Sequence, residues 1–192
     1  MSRLWLVRHA RPLVADGLCY GRLDLPADAA ASRAAAQALA RALPPQVADI
    51  RHSPLQRCEL LTLDLQALRP DLASKPEARI QEMDFGRWEG RAWNAIARAQ
   101  IDAWATDLAG HAPGGGEPLA AMLARVDQAL RDAVASAQAP GGDVVWITHA
   151  GVARCVQWLL AHGQTRVPQS HEWPVAAPAF GAWIQLPLPR DW

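Results

Sequence analysis

The chain holds 192 residues, of which 51% are hydrophobic and 20% are charged, and this composition is typical of a globular domain and excludes a disordered chain. Its 19 Lys and Arg residues balance its 19 Asp and Glu residues, so it lacks the excess of positive charge that nucleic-acid binding requires. The 3 cysteines have no metal-ligand spacing, which argues against both a disulfide framework and a zinc site.

The sequence also lacks membrane and export signals. No stretch approaches the roughly 20 consecutive apolar residues of a membrane-spanning helix, and the N-terminus does not have the pattern of a signal peptide. We therefore expect a cytoplasmic protein that binds neither membranes nor nucleic acids. At this length we expect one domain over residues 1–192. The sequence does not indicate an oligomeric state.

Apolar runs and helical periodicity alternate along the chain. Short unbroken apolar runs, such as residues 4–7, predict strands that are buried on both faces. The alternation of these runs with amphipathic segments predicts an α/β fold, a three-layer αβα sandwich with a mainly parallel central sheet. In chain order the predicted elements are strand 4–7, helix 27–43, strand 47–50, helix 55–68, strand 78–81, helix 93–108, helix 117–138, strand 144–148, helix 152–162 and strand 182–186.

Turn residues and long loops separate these elements. Ser53 is predicted to be the N-cap of the second helix, with Pro54 as its first residue. The glycine run at residues 114–116 is interpreted as a hinge, because no Lys-Ser or Lys-Thr pair follows it as in a P-loop. The loops over residues 13–28 and 85–116 are long for a compact domain, which is typical of functional loops.

Three predicted strands run directly into ionisable residues. Arg8 and His9 follow the first strand, Arg57 lies one helical turn beyond the second, and His149 follows the strand at residues 144–148. The carboxyl ends of parallel strands meet at one edge of a sheet, where α/β proteins bind ligands. We therefore expect these side chains to converge into a pocket for a dianion.

Five stretches of the sequence resemble, in order, the motifs of the histidine phosphatase superfamily, which has the phosphoglycerate-mutase-like fold. They are residues 7–9, 53–57, 82–90, 113–117 and 148–152. The resemblance implies a phosphoric monoester hydrolase that acts on a small phosphorylated metabolite and needs no metal or other cofactor. Residues 17–24 further resemble the α-ribazole phosphatase branch, which implies α-ribazole 5′-phosphate as the substrate and a role in cobalamin biosynthesis.

The resemblance also implies which residues perform the chemistry. His9 would attack phosphorus and form a phosphohistidine, with its other ring nitrogen donating to a backbone carbonyl. Glu82 would be the general acid that protonates the leaving oxygen and then helps to activate water. Asp84 and Glu89 are nearby carboxylates that compete with Glu82 for this role.

The same resemblance implies a set of phosphate-binding residues. Arg8, Arg57 and His149 would neutralise the phosphoryl oxygens in the transition state, and Ala150 follows His149 within the same motif. Cationic side chains would then perform the work that Mg²⁺ performs in other phosphoryl-transfer enzymes.

The chain departs from the family pattern near His9. Ala10 replaces the usual glycine, so the backbone there must be compatible with a Cβ. The hydroxyl or amide residue that many members carry shortly afterwards is missing, and Arg11 and Arg22 are candidates to replace it in substrate binding. His52 stands where a small hydroxyl residue is common. We interpret it as an ordinary buried polar residue and leave its contact with the pocket open.

Three alternative functions follow from these observations. A phosphoglycerate mutase would share the motifs but must shield its intermediate from water. A phosphohistidine protein phosphatase would have a more open site, whereas residues 85–118 here predict a lid, with Trp88, Trp93 and Trp104 interpreted as core and pocket wall. The change at Ala10 leaves open a phosphate-binding module without catalysis.

Overall fold

The computed structural model describes residues 2–139, 142–174, 176–190 and 192, and within them the chain forms a sheet of five strands between two helical layers. The strands are β1 (Arg3–Arg8), β2 (Asp49–His52), β3 (Lys75–Pro76), β4 (Val144–Thr148) and β5 (Trp183–Pro187). The α-helices are α1 (Ala29–Ala42), α2 (Gln56–Leu68), α3 (Arg98–Thr106), α4 (Leu119–Ser136) and α5 (Ala150–His162). Short 3-10 turns lie at Ala78–Ile80, Gly86–Trp88, Trp93–Ala95 and Pro113–Gly115.

The strand order in the sheet is β3-β2-β4-β1-β5. The pairs β1–β4, β2–β4 and β2–β3 are parallel, and β5 is antiparallel to β1. The predicted α/β fold with a mainly parallel sheet is therefore confirmed. Because β1, β2 and β4 run in the same direction, the residues that follow them meet at one edge.

Alternation along β1 divides the core between the two faces of the sheet. Leu4 and Leu6 join the cluster formed with α4 and α5, whereas Trp5 and Val7 join the cluster formed with α1 and α2. Both faces are apolar because both are covered by helices, which explains the unbroken apolar run. The predicted apolar face of α4 is buried as expected; it consists of Leu119, Met122, Leu123, Val126, Leu130 and Val134.

Two predicted local structures near the site are wrong. Helix α2 begins at Gln56, and Leu55 is its N-cap in an extended conformation, so Ser53 and Pro54 precede the helix. Residues 78–81 do not form a strand, because the Glu77 carboxylate accepts the backbone N–H of Arg79 at 3.0 Å and a 3-10 turn results. The strand of this region is β3, just before that turn.

Two further element boundaries differ from the prediction. The helix predicted over residues 93–108 is divided, because Ala97 is extended (φ −57°, ψ 130°) between the turn at Trp93–Ala95 and α3. Strand β2 lies two residues beyond the predicted range, since its ladder with β4 continues through Arg51 and His52. Among the described residues, no helix is long and apolar enough to span a bilayer.

Candidate active site

A cavity of about 360 Å³ opens at the edge of the sheet where β1, β2 and β4 end. One part of its lining is charged and comprises Arg8, His9, Arg57 and Glu82. The remainder is mostly apolar and aromatic; it consists of Tyr20, Met83, Phe85, Trp93, Trp104, Leu108, Leu119, Met122, Gly151, Arg154 and Trp173. Residues 85–118, the predicted lid, therefore supply a large part of the wall.

His9 is buried at the charged end, directly after β1, and its ring is fixed by the backbone. Its Nδ1 lies 2.7 Å from the carbonyl oxygen of Ala10. A carbonyl can only accept a hydrogen bond, so Nδ1 carries the proton and Nε2 of the neutral ring keeps its lone pair. Burial, together with the positive charges of Arg57 and Arg8, lowers the pKa of His9 to about 3. His9 is therefore neutral near pH 7.

The backbone at Ala10 accommodates its methyl group. Ala10 is buried with 1% of its surface exposed, and no non-glycine residue among those described has a positive φ. The prediction that this position tolerates a Cβ is confirmed. The glycine that the family usually has here is therefore not required by the backbone conformation.

Two arginines, one buried and one partly buried, line the cavity beside His9. The Arg57 side chain, in the first turn of α2, is completely buried and donates to the carbonyl oxygens of Leu23 (2.9 Å) and Gly21 (2.5 Å). Arg8 donates to the carbonyl oxygen of Pro178 at 3.1 Å, and burial lowers the pKa of its guanidinium. Carbonyl groups of two separate loops thus hold the two guanidinium groups in place.

His149 follows β4 and lies behind His9, with 5.1 Å between the two ring centroids. It is completely buried, and its Nε2 lies 2.8 Å from the hydroxyl oxygen of Ser53. Burial, with the positive charge of Arg57, lowers the pKa of His149 well below its usual value. A neutral His149 can donate a hydrogen bond to a phosphoryl oxygen but adds no formal charge. Ser53, predicted as a helix cap, instead contacts this ring.

Glu82 is the carboxylate that lines the cavity. Its Oε1 accepts the backbone N–H of Met83 at 3.0 Å, and its Oε2 accepts that of Gly151 at 3.0 Å. The two competing carboxylates hold the adjacent loop instead. Asp84 accepts the N–H of Gly86 at 2.7 Å, and Glu89 accepts three backbone N–H groups; their donors are Arg22, Leu23 and Phe85.

The structure does not bring every predicted residue into the cavity. Arg11 is exposed and lies 3.5 Å from Asp16. The Arg22 guanidinium lies 3.9 Å from Asp84 and 4.0 Å from Glu117, outside the lining. His52 is not part of the lining, and its Nδ1 lies 2.7 Å from the hydroxyl oxygen of Ser74. Ala150 begins α5 beside His149 but is not part of the lining.

Several cavity residues were not identified from the sequence, among them Tyr20, Arg154 and Trp173. Tyr20 lies in the loop over residues 13–28, and its ring centroid is 5.7 Å from the Arg57 guanidinium carbon. Arg154 lies in the first turns of α5, five residues after His149, so its helical position was a usable signal. Trp173 comes from the irregular tail of the chain, where no periodic pattern indicated a contact.

The sequence model of the histidine phosphatase superfamily (branch 1) matches residues 4–177 of the chain. This range includes all of the cavity residues described above. No curated protein sequence matches the chain.

Solved structures match the chain over nearly its whole length. A native mycobacterial glucosyl-3-phosphoglycerate phosphatase has a TM-score of 0.79 and 25% identity, with 96% of this chain and 89% of that chain covered. The same mycobacterial enzyme in complex with inorganic phosphate has a TM-score of 0.74 and 26% identity, covering 97% and 90%. The protein TTHB049 of Thermus thermophilus has a TM-score of 0.69 and 27% identity, covering 98% and 95%.

Proposed function

Since the chain belongs to branch 1 of the histidine phosphatase superfamily and is a phosphoric monoester hydrolase, we propose that it hydrolyses a small phosphorylated metabolite through a phosphohistidine on His9, without a metal ion. The observation that carries this proposal is the state of His9. Its Nδ1 is held by the Ala10 carbonyl, its pKa is lowered to about 3, and the buried Arg57 and the partly buried Arg8 line the same cavity. A neutral imidazole with one available lone pair is the nucleophile that phosphoryl transfer needs.

The first step forms the bond between Nε2 of His9 and phosphorus while the bond from phosphorus to the ester oxygen breaks. Arg8 and Arg57 stabilise the charge that spreads over the phosphoryl oxygens, and His149 donates a hydrogen bond to one of them. Glu82 gives its proton to the departing oxygen, so the alcohol leaves in neutral form. The location of Glu82 at the cavity rim supports this role.

The second step returns the enzyme to its starting state. The Glu82 carboxylate takes a proton from water, and the water oxygen attacks phosphorus as the bond to Nε2 of His9 breaks. The products are inorganic phosphate and a protonated Glu82. No step requires a metal ion, because the guanidinium groups of Arg8 and Arg57 supply the positive charge.

We propose α-ribazole 5′-phosphate as the leading substrate, because residues 17–24 resemble the α-ribazole phosphatase branch. Glucosyl-3-phosphoglycerate is the second candidate, since a mycobacterial phosphatase named for this substrate has a TM-score of 0.79 with this chain. Both are organic phosphate monoesters, so they share the chemistry at His9 and differ in the leaving group.

The test is turnover of p-nitrophenyl phosphate in the presence of EDTA by the wild type and by His9→Ala. We expect hydrolysis by the wild type, no hydrolysis by His9→Ala, and unchanged hydrolysis by the control His171→Ala, which replaces an exposed histidine away from the cavity. Undiminished turnover by His9→Ala would contradict the proposal. Phosphate binding without turnover would favour a binding module.

A substrate screen then separates the remaining alternatives. It compares α-ribazole 5′-phosphate, glucosyl-3-phosphoglycerate, a phosphohistidine peptide and 3-phosphoglycerate by released phosphate. We expect the highest kcat/KM for α-ribazole 5′-phosphate. Isomerisation of 3-phosphoglycerate without phosphate release would instead identify a mutase.

A further inference from the structure

The cavity is divided between a charged end and an aromatic wall. We define the aromatic wall as Phe85, Trp93, Trp104 and Trp173, all of which line the cavity. The charged end is sufficient to bind a phosphoryl group. The aromatic wall therefore has no role in the proposed chemical steps. Since the wall faces the same cavity, it contacts whatever group the phosphate is attached to.

The position of the general acid places the leaving group next to the wall. In an in-line displacement the leaving oxygen lies opposite the nucleophile, and here it must also lie beside Glu82. Phe85 is three residues beyond Glu82, and both line the cavity. The organic part of the departing alcohol therefore contacts the aromatic wall, whereas the phosphoryl group lies at the charged end.

Three of the four wall residues form a packed set of rings. Trp93 and Trp104 are nearly parallel, with 11° between their planes and 6.4 Å between centroids. Phe85 packs edge-on against both, at 5.6 Å and 5.8 Å. Behind them Trp88, with 2% of its surface exposed, packs against Trp104 at 5.8 Å. These contacts hold the faces in place before a ligand arrives, which lowers the entropic cost of binding.

The segment that carries the wall is also tied to a second loop. Cys19 donates its backbone N–H to the carbonyl oxygen of Arg91 at 2.7 Å, and Gly90 donates to the carbonyl oxygen of Cys19 at 2.9 Å. Trp93 donates in the same way to the carbonyl oxygen of Gly17 at 2.9 Å. The wall therefore has a fixed position relative to the residues that orient Arg57.

The chemistry of the wall selects the kind of leaving group. A hydroxyl-rich sugar or a second anionic group would depend on hydrogen bonds from Tyr20 and Arg154, the polar residues of the lining outside the charged end. A flat aromatic ring loses little hydration and gains offset-stacked or edge contacts with the indoles. A cavity of about 360 Å³ is large enough for a leaving group of one or two rings.

We propose that the aromatic wall is a binding site for a flat, uncharged aromatic ring in the leaving group, so that the enzyme prefers phosphate monoesters of alcohols that carry such a ring. This inference rests on the proposed function for its catalytic test. The class of leaving group is inferred from the lining of the cavity, and any phosphate ester with such a leaving group is a candidate substrate.

The experiment uses two esters that differ in the ring alone. Benzyl phosphate and cyclohexylmethyl phosphate are both primary alkyl esters with the same number of carbon atoms, but one ring is flat and the other is puckered. For the wild type we expect kcat/KM to be about five- to tenfold higher for benzyl phosphate, the size expected for an added aromatic contact. Trp93→Leu should bring the ratio close to one.

Two variants serve as controls for this ratio. Trp93 is 37% exposed, so its replacement disturbs the core little. Trp192→Leu replaces a tryptophan that donates to Asp127 at 2.8 Å, away from the cavity, and it should keep the wild-type ratio. A ratio near one in the wild type, or a higher kcat/KM for glucose 6-phosphate than for benzyl phosphate, would overturn the proposal.

A binding measurement distinguishes failure of this inference from failure of the proposed function. Benzylphosphonate and cyclohexylmethylphosphonate cannot be hydrolysed, and calorimetry gives their dissociation constants directly. Tighter binding of benzylphosphonate that is lost in Trp93→Leu supports the aromatic site even if no ester is turned over. Equal binding of the two phosphonates contradicts the aromatic site even if esters are hydrolysed.

Discussion

Gly151 donates its backbone N–H to Oε2 of Glu82 at 3.0 Å, and a Cβ added at Gly151 would lie only 2.1 Å from Oε1 of the same carboxylate. The carboxylate of the proposed acid, Glu82, therefore packs against the first turn of α5. The absence of a side chain at this position allows the carboxylate to reach both N–H donors.

Gly151→Ala should displace the Glu82 carboxylate, because contacts below 3.0 Å are not tolerated and the carboxylate is the movable partner. Hydrolysis of an alkyl phosphate should fall about a hundredfold, the lower range for loss of a general acid. The kcat/KM for p-nitrophenyl phosphate should fall much less, since this ratio reports the first step and nitrophenolate leaves without a proton. Steady-state kinetics with both esters measures the difference.

The control for this variant is Ala161→Ser, an exposed substitution near the end of the same helix that should leave both rates unchanged. Equal losses for the alkyl and the nitrophenyl ester in Gly151→Ala would mean that the contact positions something other than the acid.

Arg125, on α4, holds the backbone that leads into the same acid. It donates to the carbonyl oxygens of Arg79 (2.7 Å), Gln81 (2.7 Å) and Glu82 (3.2 Å), and it forms a bidentate pair with Glu117 at 2.7 and 2.8 Å. Lysine keeps the charge but cannot form this fork. We therefore infer that Arg125 is a positioning residue for Glu82.

Arg125→Lys should lower kcat for alkyl phosphates about tenfold, with a smaller change in KM, because the acid is misplaced while the phosphate site is intact. Unfolding in urea should show a loss of about 1–3 kcal/mol, since buried carbonyl groups lose their donors. Arg98→Lys is the control: its pair with Asp102 is exposed on α3, and its removal should cost less than about 0.5 kcal/mol. An unchanged kcat in Arg125→Lys refutes the positioning role.

The architecture around His9 could be predicted from sequence because it depends on local patterns. Four apolar residues before Arg8 indicate a buried strand, and parallel strands bring their carboxyl ends to one edge wherever their partners lie. Arg57, Glu82 and His149 were located by motif. The structure places Arg57 and Glu82 in the cavity lining and His149 behind His9, with 5.1 Å between the two ring centroids. To predict that these residues meet, it is enough to know the direction in which each strand runs.

Contacts between distant loops could not be predicted in this way. Ser53 has the sequence pattern of a helix cap, but a tertiary contact with His149 competes for its hydroxyl. The glycine run was interpreted as a hinge, whereas a Cβ on Gly114 would lie 2.2 Å from the carbonyl oxygen of Phe85. The run is therefore glycine-rich because two backbones pack directly together. Trp173 reaches the cavity through an irregular segment with no repeating pattern.

Arg57→Lys should separate the geometry of the phosphate site from its charge. The guanidinium donates to the carbonyl oxygens of Gly21 and Leu23 and is completely buried, so its plane is fixed. A lysine cannot hold both carbonyls and bind a phosphoryl oxygen at the same time. We expect kcat/KM for p-nitrophenyl phosphate to fall about a hundredfold or more, as for loss of one transition-state donor.

Inorganic phosphate provides a second readout for Arg57→Lys, because its binding by calorimetry should weaken less than kcat/KM falls. The control Arg51→Lys changes an arginine on β2 that pairs with Asp49, outside the cavity, and it should leave phosphate binding and turnover unchanged. Equal losses of phosphate binding and kcat/KM in Arg57→Lys would show that Arg57 binds ground state and transition state alike.

The buried histidines should make the protein less stable in mild acid. The pKa of His9 is lowered to about 3 in the folded protein, and that of His149 is also lowered well below its usual value. Unfolded histidines titrate near pH 6.5. The unfolded state thus binds more protons below pH 6.5, and stability falls as the pH decreases from about 6.5 toward 3. Each such histidine should cost about 2 kcal/mol between pH 7 and pH 5.

Urea unfolding of the wild type and of His9→Gln at pH 7 and pH 5 tests this expectation. Glutamine does not titrate, so the variant should lose about 2 kcal/mol less than the wild type over this interval. His171→Gln removes an exposed histidine and should follow the wild type. The same loss in His9→Gln as in the wild type would mean that His9 accepts a proton in the folded state, and its role as a neutral nucleophile at low pH would then have to be abandoned.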